Sequence, residues 1–157
     1  MDENTVKLAS VYIFSTGIMT GMKTHILYSV VTLAECMQDP ATLAWLTHAQ
    51  VPVPEIIPPG RYPTPAEIRY VIENTPGIKA TYMVTSSVWV VTVTSRKDVT
   101  WATLAVQDYC GDEDMPCRFN YSGGWDELIL LVSSKLAKQC GPLVLLHDSG
   151  AAPQVVG

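Results

Sequence analysis

From Lys79 onward, apolar and polar positions alternate with a period of two in four runs, residues 79–85, 88–94, 101–108 and 117–121. That period sends successive side chains to opposite faces of a sheet, so the runs predict an antiparallel meander, with turns at Ser86-Ser87 and Arg96-Lys97-Asp98. A looser alternation over residues 7–14 predicts a first strand. Between Met22 and Met37 the set Ile26, Leu27, Val30, Val31, Ala34 and Met37 recurs at helical spacing and predicts an amphipathic helix, against the preference of its β-branched members. Asp39 before Pro40 is an N-cap followed by proline at the first helical position, which opens a short helix over 40–48.

Six prolines fall between residues 51 and 65, so this stretch has few backbone donors and is expected as an extended surface connector. Thr64 and Glu67 form a capping-box pattern leading into Ile68, Val71 and Ile72, and residues 74–77 end that helix. Further on, Ser122-Gly123-Gly124 reads as a turn opening a helix over 125–139. Its expected buried side is Leu128, Ile129, Leu131, Val132, Leu136 and Ala137, and Gly141-Pro142 stops it. The apolar run 143–146 suits a strand buried on both faces, delivered by that helix as a crossover. Residues 151–157 are expected to fray.

The fold expected is therefore α+β: an antiparallel meander sheet with helices packed mainly on one face, an N-terminal helical part and a C-terminal helix-strand unit. One domain spans residues 1–157, which suits a chain of this length with 48% apolar and 16% charged residues. Met22-Lys23 reads as an internal start, making residues 1–21 an N-terminal extension. Asp2 and Glu3 stand where a signal peptide carries cations, and polar residues interrupt the apolar stretch behind them, so the expectation is a cytoplasmic protein off the membrane.

Net charge is −5 and the ten basic residues are scattered, which argues against nucleic acid as a partner. Cys36, Cys110, Cys117 and Cys140 lack the spacing of a zinc site or a disulfide framework and are expected as free thiols, with Cys110–Cys117 the one pair a hairpin would bring together. No metal or cofactor is expected. The glycine-rich turn before Trp125 lacks the lysine of a P-loop. The catalytic candidates are Cys110 or Cys117 as nucleophile with His147 or His48 as base. His147-Asp148-Ser149 holds the residue types of a serine-hydrolase triad on consecutive positions, where they cannot relay one proton.

Asp108, Asp112, Glu113 and Asp114 form the one dense charge cluster, and such a loop gives a basic partner faster association and specificity. With Trp125 they are the candidate partner-binding residues. Tyr82, Trp89 and Trp101 on successive runs are expected in the core or in cross-strand pairs. The function expected is a non-catalytic domain that binds another protein with a basic surface. In size, acidity and lack of catalytic motifs it is similar to immunity proteins that neutralise bacterial toxins, a likeness of character with no motif behind it. The alternatives are a small hydrolase or transferase using the thiol or histidine above, and a small-molecule sensor with its pocket between meander and helices.

Overall fold

The computed structural model describes residues 22–23, 28–97 and 99–157. The strand expected over residues 7–14 and Asp98 of the second turn lie outside them. In chain order the elements are β1 (Met22–Lys23), β2 (Tyr28–Thr32), α1 (Leu33–Cys36), α2 (Pro40–His48), α3 (Pro65–Glu73), β3 (Ile78–Val84), β4 (Trp89–Ser95), β5 (Trp101–Val106), β6 (Phe119–Trp125), α4 (Asp126–Cys140), β7 (Leu143–His147) and β8 (Gln154–Val156).

The fold is α+β. The sheet runs β3-β4-β5-β6-β2-β7-β8, with every pair antiparallel. The short β1 extends along the same edge of β6 that β2 occupies. The meander is thus β3 to β6, and α4 carries the chain over β2 to β7, which lies parallel to β6 with β2 between them. Alternation decides the layers. Trp89, Val91 and Val93, with Leu104, Phe119, Tyr121, Leu143 and Leu145, face α3 and α4 in the main core. Val144, on the opposite face, packs with Leu33, Cys36 and Leu46 of α1 and α2 and with Val51, Val53 and Ile57 of the connector.

The helix expected over 22–37 is not formed. Tyr28, Val30 and Thr32 are buried in alternation, so the β-branched residues there follow their strand preference, and among the described residues of this stretch only Leu33–Cys36 turns helical. Helices α2 and α3 begin where their caps place them: Ala41 N–H donates to Asp39, and Thr64 and Glu67 complete the reciprocal box.

Ser122-Gly123-Gly124 is not a turn but the end of β6. The ladder to β5 shifts register there, since Thr103 faces Gly123 whereas Leu104 faces Tyr121, which leaves Ser122 as the extra residue of a bulge. At Gly124, φ is +136° and a Cβ would lie 2.4 Å from Ala102 Cα, so only glycine fits. Gly141 closes α4 under a similar restriction: a Cβ there would lie 2.7 Å from the Pro59 carbonyl oxygen, where the connector crosses the helix end.

Two further expectations are corrected. Leu131 is exposed while Leu128, Ile129, Val132 and Leu136 are buried, because the stripe facing the sheet is narrower than the apolar run. The segment expected to fray holds β8, whose Val156 is buried against Leu143's strand.

Leu136→Ala is expected to cost about 2–5 kcal/mol, as large-to-small changes in a packed core do, and Leu131→Ala less than about 0.5 kcal/mol. Urea unfolding of both variants checks the orientation of α4, and equal costs would contradict it.

Candidate functional site

The β5–β6 connection begins where Gln107 N–H donates to the Arg118 carbonyl, 2.8 Å, and the acidic cluster lies between these two residues. A loop of this length held only at its ends is costly to order. This one is fastened along its length. Glu113 accepts from Arg69 of α3 through both oxygens, at 3.3 and 2.8 Å, and from the Trp89 indole at 3.1 Å. Its own carbonyl accepts from Ala66 N–H at 2.9 Å.

That last bond explains why α3 starts cleanly. Pro65 has no amide hydrogen, Glu67 N–H goes to Thr64 Oγ1, and Ala66 N–H, the remaining donor of the first turn, is satisfied by the loop. Cys117 N–H adds a 3.1 Å bond to the Pro63 carbonyl. The Arg69 guanidinium also stacks 4.3 Å from the centre of the Tyr82 ring, and Tyr82 meets Trp89 edge-on at 5.7 Å. Hydrogen bonding to Arg69 holds the Glu113 carboxyl below its ordinary value, and Glu113 raises Arg69.

Next to the loop, Arg118 pairs with Glu35 and lies over the Tyr62 ring, while Tyr62 donates to Glu35 at 2.7 Å. Burial and that bond push Tyr62 up to about 12. Arg61 grips Glu67 through two 2.7 Å bonds and holds its carboxyl down at about 2. The Glu35, Tyr62 and Arg118 contacts tie the connector and α1 to the start of β6, and the Arg61–Glu67 pair ties the connector to α3.

The four acidic candidates therefore divide. Glu113 is a structural ion pair, whereas Asp108, Asp112 and Asp114 are exposed, and no cation among the described residues pairs with them. Asp112 accepts from Asp114 N–H at 2.9 Å, an Asx turn that shapes the tip. Trp125 is half-buried at the N-cap of α4 rather than displayed beside the loop. Nothing in the sequence separated Glu113 from its neighbours, because its partner Arg69 lies 44 positions away.

The catalytic candidates do not converge. His147 aligns with Tyr28 and Tyr121, while Cys117 precedes Phe119 at the start of β6. The two are thus about 13 Å apart along the strands and two strand widths across. His48 is exposed at the end of α2. His147 is buried against Tyr28, ring centres 4.6 Å apart, and its Nδ1 meets both Ser149 Oγ, at 2.5 Å, and Ser149 N–H, at 3.1 Å. Asp148 approaches the same nitrogen, at 3.9 Å. A triad divides nucleophile and acid between the two ring nitrogens, so this arrangement braces the β7–β8 turn instead.

All four cysteines are free thiols, so Cys110 and Cys117 are not joined. Burial pushes Cys36 and Cys140 up to about 11 and raises Cys117 as well, the reverse of an activated thiolate. No three His, Cys, Asp or Glu side chains among the described residues are grouped to hold a metal ion. An apolar groove of about 740 Å³ lies between Val51–Pro54 of the connector, Leu130 and β8, away from the meander. No helix among the described residues is long and apolar enough to cross a membrane. Compared with protein-family models, curated proteins and solved structures, the chain matches none.

Glu113→Gln keeps the shape and an acceptor for Trp89 but loses the charge, at an expected cost of about 1 kcal/mol near neutrality, appropriate for a half-exposed bidentate pair. Because the folded carboxyl is held low, the wild-type advantage is present above the ordinary carboxylate range and is lost as pH falls through the folded value. Urea titrations of both proteins at pH 7 and pH 3 check this. A difference that persists unchanged at pH 3 would contradict it.

Proposed function

We infer that the chain is a non-catalytic protein-binding domain whose β5–β6 loop meets a basic surface on its partner. An immunity-type protein that neutralises a toxin by binding it is one case of this. The observation that carries the reading is the division of labour in the loop. Glu113 anchors it, and Asp108, Asp112 and Asp114 are left exposed on a pre-ordered backbone. Pre-ordering lowers the entropy lost on association, and three exposed carboxylates supply a field that steers a cation-rich surface toward the loop. The separation of His147 from Cys117 favours this reading over a hydrolase or transferase built on that pair.

Replacing Asp108, Asp112 and Asp114 by Asn while keeping Glu113 is expected to change stability by less than about 0.5 kcal/mol. Association with a partner recovered by co-purification should slow at least tenfold at low salt and lose most of its salt dependence. Stopped-flow association at low and high ionic strength measures both. Equal rates and salt slopes for the two proteins would overturn the reading.

A further inference from the structure

The acidic loop also brings the Cys110 and Met115 sulfurs together and sets the Cys117 thiol against the backbone of the same Met115. Cys110 Sγ lies 3.9 Å from Met115 Sδ, and Cys117 Sγ lies 3.3 Å from the carbonyl oxygen of the same Met115. Cys110 is exposed, and Met115 is 46% exposed. An exposed free thiol is a reactive liability on a protein surface, and an exposed thioether gains nothing by burial.

As a donor set the three have a definite preference. A planar three-coordinate centre with metal–sulfur bonds of about 2.3 Å places its sulfurs about 4 Å apart, the separation already present between Cys110 and Met115. Two thiolates with a thioether are soft donors, which suit copper(I), whereas zinc favours four ligands drawn from thiolate, imidazole and carboxylate. The surroundings suit a cation, because the exposed carboxylates Asp108, Asp112 and Asp114 belong to the same loop.

We propose that Cys110, Met115 and Cys117 form a surface site for one copper(I) ion, bound in a trigonal sulfur environment. Binding joins the metal to both cysteine sulfurs as thiolates and to the methionine sulfur as a neutral donor. Both thiol protons are released to solvent, and no electrons are transferred. The site is independent of whether the loop meets a protein partner. It uses side chains other than those that anchor the loop, since Glu113 and the Cys117 backbone hold it in place. The buried thiols Cys36 and Cys140 lie outside it.

The test is anaerobic titration of the reduced full chain with copper(I), in competition with a chromogenic copper(I) chelator. Wild type, C110S, C117S, M115L and the double variant C110S/C117S are compared, with thermal unfolding to confirm that each folds. The expected result is one equivalent bound with about two protons released, affinity lowered at least a hundredfold in either serine variant and about tenfold in M115L. X-ray absorption of the wild-type complex should show three sulfur neighbours. Retention of copper(I) by folded C110S/C117S at wild-type affinity would assign binding to the buried thiols and overturn the proposal. So would an M115L variant indistinguishable from wild type, or zinc(II) displacing copper(I) at equal concentration.

Discussion

The ion pair between Arg69 and Glu113 joins three parts of the molecule that are distant in sequence. Through it the β5–β6 loop is tied to α3, and through the indole of Trp89 and the ring of Tyr82 it is tied to the first hairpin of the meander. Half-exposed ion pairs are individually weak. This one gains from geometry, because the carboxylate accepts two guanidinium bonds and an indole bond while the backbone of the same residue completes the N-terminus of α3. Remove the carboxylate, and the Trp89 indole and the Arg69 guanidinium lose a partner together. The exposed carboxylates and the sulfur cluster both depend on the backbone that this contact holds.

Much of the fold could be read from local signals. The alternation over β3 to β5, the Asp39 and Thr64 caps, the proline connector and the helix leading to β7 each depend on neighbours within a few residues, and each appears where those neighbours place it. The misreadings share a cause. Residues 28–32 have apolar positions compatible with either period, and the choice of strand is made by β6 and β7 on either side, which no local pattern contains. Gly123 and Gly124 looked like a turn because glycine usually marks one, but here both are strand residues, and Gly124 serves a close crossing with Ala102. Val156 is buried because β7 offers it an edge.

The candidate site was legible in outline only. The cluster of carboxylates and the flanking cysteines stand out in the sequence, but their roles are set by long-range contacts. Arg69 turns one acid of four into an anchor, and the loop's path brings Met115 rather than the other thiol against Cys110. His147 and Ser149 show the opposite case, residue types suggestive of catalysis whose geometry is that of a braced turn.

Amide hydrogen exchange on wild type and Glu113→Ala, followed at Ala66 and Cys117, tests most directly whether Glu113 holds the loop. Both amides donate across the loop contact, to Glu113 and Pro63 carbonyls respectively, although neither carbonyl is altered by the substitution. If the side chain is the anchor, both should lose protection by at least tenfold in the variant, while amides in the centre of β5 and β6 keep theirs. Unchanged protection at Ala66 and Cys117 would show that the loop is held without the ion pair and would contradict this account.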